Sequence, residues 1–179
     1  MNPWHDFPVG THPPERVTAV IEIPRGSRNK YELDKASGQF RLDRVLFSAV
    51  HYPGDYGLIP RTLHDDGDPL DILVSINEPT FPGCQIDCRP LGVLRMLDRG
   101  EPDDKIIAVP SHDPFYNEAY DIADLSQHYL KEVEHFFHIY KDLEGRRVEI
   151  VGWEKSEVAM KVIDASVQRY REKYLQVGP

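Results

Sequence analysis

No stretch of this chain restricts its fold as tightly as Asp66–Asp71, which reads D-G-D-P-L-D between His64-Asp65 and the apolar run Ile72–Val74. Three carboxylates at offsets 0, 2 and 5 form a concentration of negative charge that an apolar core rejects. Two such charges about 4 Å apart repel by roughly 4 kcal/mol at an effective dielectric near 20. Either a positive partner sits among them or the side chains splay into water. Gly67 permits a backbone bend and Pro69 fixes one dihedral, so the segment reads as a shaped loop entering a strand at Asp71. Two readings stand at this point. Asp, Gly and Pro are common turn residues, and a polar turn ahead of a strand accounts for the string. Alternatively, hard carboxylate oxygens with no Cys or His among them hold Mg²⁺, Mn²⁺ or Ca²⁺ in preference to zinc. Spacing excludes an EF-hand, because the positions that would need an acid or amide, a Gly and a Glu carry Leu70, Asp71 and Asn77.

The rest of the composition narrows the classes. With 179 residues, 40% hydrophobic and 28% charged, the chain is expected to form one globular domain over 1–179. It has no apolar run of the roughly 18 residues a membrane span needs, and MNPWHDFPVG has neither the basic region nor the apolar stretch of a signal peptide. Cys84 and Cys88 are too few for a disulfide framework and read as ordinary thiols in a reducing cytoplasm. A net charge of −9 argues against a nucleic-acid backbone or an anionic membrane as partner. A small anionic ligand remains admissible if cations intervene.

Residues Met1–Arg16 are Pro-rich and weakly periodic, which predicts an extended arm over the surface, anchored by Trp4 and Phe7. Val17–Ile23 is a β-branched run interrupted by Glu22, either an edge position facing water or an acid turned into a polar cavity. After the basic turn Pro24–Asn29, alternation in Lys30–Leu33 places Lys30 and Glu32 on one face. Asp34–Gly38 closes a hairpin, and Gln39–Leu42 and Val45–Val50 are expected as strands broken at Asp43-Arg44. His51–Pro60 sets Tyr52 and Tyr56 beside two glycines, as half-buried rings or as phenolic donors to an anion. Gln85–Cys88 and Leu91–Met96 are expected as separate strands ending at Asp98. Arg99–Lys105, R-G-E-P-D-D-K, is a second acidic loop before the strand Ile106–Val109. Asp124 with Gln127 suggests a cap, and Leu130, Val133, Phe137, Tyr140 and Leu143 predict a helix over Leu125–Glu144. Lys141 near its end reads as a cation favoured by the helix dipole or as an anion ligand. Arg147–Trp153 is a last strand and Ser156–Leu175 a second helix. The sum is an α+β domain with a closed or partly closed sheet.

Two carboxylate clusters, strand-end Lys and Arg, and tyrosines beside glycines form a constellation suited to phosphates, because divalent ions bridge acidic protein to acidic substrate. Lys30, Arg44, Lys105 and Lys141 are then available to phosphate oxygens. There is no Walker-A loop or kinase signature, so a nucleoside triphosphate is not indicated.

Here the sequence resembles a known family, the soluble single-domain inorganic pyrophosphatases of bacterial type, whose signature D-x-D-P-x-D matches Asp66–Asp71. The likeness continues in V-I-E-I-P at Val20–Pro24, K-Y-E-L-D at Lys30–Asp34, D-R at Asp43-Arg44 and H-Y-P-G-D-Y-G at His51–Gly57. Further matches are R-P-L-G-V-L at Arg89–Leu94, D-D-K at Asp103–Lys105 and H-F-F-x-x-Y-K at His135–Lys141. The resemblance implies an OB-like five-stranded β-barrel with additional strands and two flanking α-helices. It implies hydrolysis of pyrophosphate to two phosphates with Mg²⁺, with Mn²⁺ as a substitute and Ca²⁺ inhibitory. By the same resemblance, Asp66, Asp71 and Asp103 ligate the principal metal pair, and Asp98, with Asp103 and Glu32 nearby, holds substrate-borne ions. Asp68 takes the proton from the attacking water, Glu22 lines the cavity, and Tyr56 supports the water. Lys30, Arg44, Lys105, Tyr140 and Lys141 bind phosphate oxygens. The family also implies a homo-oligomer, with a hexamer favoured. The rival readings are an OB-fold oligonucleotide binder, which would need a basic groove, and a calcium-binding structural module.

Overall fold

The computed structural model describes residues 1–175; residues 176–179 of the expected domain lie outside the described residues. In chain order the elements are α1 (Pro3–Asp6), β1 (Val17–Ile23), β2 (Asn29–Asp34), β3 (Gln39–Val45), β4 (Asp55–Leu58), β5 (Asp71–Val74) and β6 (Gln85–Asp98). There follow β7 (Glu101–Pro102), β8 (Lys105–Pro110), α2 (Gln127–Ile139), β9 (Val148–Lys155) and α3 (Ser156–Tyr174).

β1, β4, β5, β8 and β6 pair in that order, and β6 pairs back onto β1, so five strands close into a ring. All of its pairings are antiparallel except β5 with β8, which run parallel. β7 and β9 extend β6, while β2 and β3 form a separate hairpin. This is the expected barrel with added strands and two substantial helices. Beyond the charged residues that open them, Asp71 and Lys105, β5 and β8 are apolar on both faces, because each face is covered by a helix. Ile72, Val74, Ile106 and Ala108 pack with Ala159 and Ile163 of α3, whereas Leu73, Ile107 and Val109 pack with Val133 and Phe137 of α2. Gly57 is required where β4 crosses β1, since a Cβ there would lie 1.9 Å from the Val20 carbonyl oxygen.

Where the sequence suggested breaks, the chain bulges instead. β3 is continuous through Asp43-Arg44, with Asp43 left unpaired between Lys30↔Arg44 and Tyr31↔Leu42. The two strands expected across Arg89-Pro90 are one strand, β6, which absorbs Pro90 beside an irregularity between Pro90 and Gly92. Leu46–Val50 is loop, not strand.

Two helix details also differ. α2 begins at Gln127, and Asp124 does not cap it. Asp121 and Asp124 instead form a capping box on the 3-10 turn Ile122–Asp124, and Asp121 also accepts from Ser156 at the start of α3. α2 stops at Ile139, and Leu143 is exposed in a following 3-10 turn. The N-terminal arm is not wholly extended. Asn2 caps the short α1, and the buried Trp4 donates its indole N–H to the Thr62 carbonyl at 2.8 Å. Phe7 is half-buried in the same apolar cluster.

Candidate active site

Glu22 shows how the barrel builds its site. β1 pairs Ile21 with Gly57 and Ile23 with Tyr56, so Glu22 is the extra residue of a bulge. A bulge re-aims its side chain, and this one turns Glu22 into a cleft at the barrel end with a volume of about 640 Å³. Its Oε1 accepts the Leu33 N–H at 2.7 Å, and burial pushes its pKa up to about 8. Of the two readings for this acid, the polar cavity is the one observed.

Opposite, parallel pairing sets Asp71 of β5 against Lys105 of β8. The Lys105 ammonium, 2% exposed, contacts both Asp71 and Asp103, so the two clusters meet on one Nζ. Burial disfavours its charge, yet the two carboxylates more than compensate and hold its pKa above the usual lysine range. Burial likewise pushes Asp103 up, but Lys105 outweighs it, so the carboxyl ends below its ordinary value.

The turn after β6 brings in the next carboxylate. Arg99 and Gly100 both adopt positive φ, as a two-residue hairpin of this hand requires, pairing Asp98 with Glu101. Asp98 Oδ2 accepts from Lys141 at 2.7 Å, and its buried Oδ1 has no hydrogen-bond partner among the described residues. Lys141, just past α2, is thus buried against Asp98 rather than solvated at a helix end. Beside it, burial raises the phenol pKa values of Tyr140 and Tyr56, so both stay protonated as donors. Tyr52, 2% exposed, is core, packed on Phe136 with ring centroids 4.7 Å apart.

The remaining wall is more open. Lys30 contacts Glu32, and Lys35 reaches across from the β2–β3 turn to Asp68. Gly67, at φ +88°, turns the hexapeptide, and Asp66 accepts the Asp68 N–H at 2.9 Å. Burial holds the Asp66 carboxyl above its usual pKa.

Every candidate residue except Arg44 lines this one cleft. Arg44 lies off the lining, its guanidinium engaged by Glu144 at 2.9 Å and by Asp43. The sequence reading missed Lys35, Arg99, Glu101 and Arg146, which also line it. Strand alternation gave no signal for them, because all four lie in turns or beside them.

The donors fit a divalent cation. Hard oxygens of Asp66, Asp68, Asp71, Asp98 and Asp103 face the same space, and one of them, Asp98 Oδ1, is buried without a partner. Among the described residues, no three carboxylate, imidazole or thiol groups are drawn into a finished cage. Lysine ammonium groups supply the positive charge among them, notably Lys105 between Asp71 and Asp103.

Comparison with known proteins agrees. Residues 19–171 match the family model for inorganic pyrophosphatase. The inorganic pyrophosphatase of Geobacillus stearothermophilus is 57% identical over 157 residues, covering 88% of this chain and 95% of that relative. That of Haloferax volcanii is 47% identical over 175 residues, covering 97% of this chain and 99% of the other. The crystal structure of inorganic pyrophosphatase from Thermus thermophilus superposes with a TM-score of 0.92 at 43% identity, covering 96% of this chain and 99% of that one. With the signature hexapeptide at the mouth of an acidic cleft and these likenesses spanning most of its length, the chain belongs to the inorganic pyrophosphatase family.

Proposed function

We propose that the cleft hydrolyses inorganic pyrophosphate to two orthophosphates, using Mg²⁺, with Mn²⁺ as a substitute and Ca²⁺ as an inhibitor. In a cell this removes the product of pyrophosphate-releasing biosynthesis. The observation that carries the reading is the meeting of Asp71 and Asp103 on one buried lysine, in a cleft that also holds Asp68. Family membership supports a divalent metal cofactor.

Asp66, Asp71, Asp98, Asp103 and Glu32 would hold the divalent cations, which would supply charge that lowers the pKa of water toward neutrality and offsets that of the substrate. The chain's own groups do the rest. Asp68, about half exposed and paired with Lys35 among the described residues, accepts the proton as water oxygen bonds to one phosphorus. The bridging P–O bond breaks, and its electron pair leaves with the second phosphate. Tyr56, a protonated phenol, orients the attacking water by donating or accepting a hydrogen bond. Lys30, Lys105, Lys141 and Tyr140 donate to phosphate oxygens. Arg44 joins them by exchanging its Glu144 and Asp43 contacts for a phosphate oxygen. Glu22, with its pKa at about 8, is largely uncharged near pH 7 and so adds little repulsion against an anion.

No helix among the described residues is long and apolar enough to cross a membrane, and both cysteines are free. A cytoplasmic location accords with both facts. A homohexamer is the assembly the family resemblance implies, and light scattering is expected to give the mass of six chains. The activity is tested by phosphate release from pyrophosphate with and without Mg²⁺. Release only with Mg²⁺ is expected; none under either condition, with an oligonucleotide gel shift instead, would favour the strand-binding alternative.

A further inference from the structure

The carboxylates of the hexapeptide are not all fixed in the same way. Asp71 sits in β5, and backbone pairing with Lys105 sets its position relative to β8. Asp66 lies in the preceding turn, outside any strand, next to a glycine in the left-handed region. Sheet register therefore does not determine where Asp66 stands relative to Asp103, and the distance between ligands governs cation affinity.

His64 spans that gap. Its N–H donates to the Asp68 carbonyl at 2.7 Å, and its carbonyl accepts the Gly67 N–H at 3.0 Å, closing the turn around Asp66. Its ring points the other way. Nε2 accepts the Asp104 N–H at 3.4 Å, one residue beyond Asp103. Asp104 is itself buried and held by the Arg95 guanidinium from β6. A continuous path thus runs from β6 through Arg95, Asp104 and His64 to the loop of Asp66 and Asp68.

The ring also carries a folding penalty. His64 is 5% exposed, and its Nδ1 is buried with no partner among the described residues. With Nε2 taken by the Asp104 N–H, Nδ1 is the ring nitrogen left without a partner among the described residues. An apolar side chain of the same size would escape the penalty. A local rule broken this way, between two ligand-bearing segments, marks a contact kept for the site.

We propose that His64 is a positioning residue, a strut that holds the Asp66–Asp68 loop against the Asp103–Asp104 segment and so sets the divalent-cation affinity of the cleft. This rests on the reading of the cleft as a divalent-metal site. His64→Gln keeps an acceptor for the Asp104 N–H, whereas His64→Met keeps the volume without a strong acceptor.

Calorimetric titration of chelator-treated protein with Mn²⁺ is expected to show His64→Met weakened about 10–100-fold. His64→Gln should stay close to the original protein. Phosphate release should follow, with the half-saturating Mg²⁺ concentration of His64→Met rising by the same factor and the rate at saturation little changed. Equal Mn²⁺ affinity in the original and His64→Met proteins overturns the strut, as does a Gln variant no better than the Met one. An original protein that binds no Mn²⁺ overturns the metal reading itself. Should His64→Met fail to fold, hydrogen exchange of the original protein in chelator decides. A protected Asp104 amide supports the strut, and exchange at the rate of an open loop overturns it.

Discussion

Asp71, Asp103 and Lys105 stand where β5 and β8 run parallel, and the Lys105 side chain is 2% exposed. Facing them, Lys30, Glu32, Lys35 and Asp68 project from the β2–β3 hairpin and the hexapeptide turn, with Lys35 and Asp68 48% and 54% exposed. Backbone hydrogen bonds register the first wall before any ligand arrives. On the second, Leu33 ties the hairpin to Glu22, but Lys35 and Asp68 meet in a contact that water screens. The difference separates two tasks: the sheet wall gathers charge at fixed spacing, while the hairpin wall keeps a base and two lysines in pairs that substrate can displace.

The largest effect expected from this division falls on the exposed wall. Asp68→Asn keeps shape and cation binding but loses the proton acceptor, so phosphate release should drop by about 10²–10⁴-fold while Mn²⁺ titration stays unchanged. A rate near that of the original protein would return the chemistry to the sheet wall. Next comes Lys105→Met, which leaves Asp71 and Asp103 facing each other without a counter-charge. Urea unfolding in chelator should show a loss on the order of 3–5 kcal/mol, part of it recovered when Mg²⁺ binds the native state. A loss no larger than that of a surface pair would erase the contrast between the walls.

Glu22 sharpens the comparison through pH. Its carboxyl titrates at about 8 when folded and at 4.5 as an ordinary carboxyl. Between those values the native state holds a proton that the unfolded chain has released. Its contribution to stability is therefore favourable at low pH and falls as pH rises, by about 1.4 kcal/mol per unit from this group. Metal-free Glu22→Gln should lack that slope in urea unfolding from pH 5 to 8; an identical slope in both proteins would show the acid to be solvated. The smallest effect is expected at Lys35→Ala, under about 1 kcal/mol, because the Lys35–Asp68 pair is exposed.

Much of the sheet wall was legible in the sequence. The apolar runs at Val17–Ile23, Ile72–Val74 and Ile106–Val109 read as strands, and D-G-D-P-L-D read as a loop opening β5. Periodicity found both late helices, and α3 begins at Ser156 as expected. Bulges were hidden, because they lie at residues that look like breaks in the pattern: Asp43, the extra residue of β3, and Pro90, next to the extra Leu91 of β6. The bulge at Glu22 decided between water and cavity for that acid, which alternation alone left open. At the site, the resemblance supplied the candidate residues, but not the pairing of Lys105 with two aspartates or the contacts holding Arg44. Such contacts join residues far apart in the chain, and local pattern is silent about them. The capping error was more avoidable: Asp121 with Asp124 has the same spacing as Asp124 with Gln127.

The central claim is that carboxylates from β5 and from the segment before β8 act together to hold the divalent ions on which hydrolysis depends. Equilibrium dialysis with Mn²⁺, on the original protein and on Asp71→Asn and Asp103→Asn, tests it most directly. The account predicts that each single substitution weakens the same tight binding and abolishes phosphate release in parallel. Tight Mn²⁺ binding that survives in both variants would contradict it.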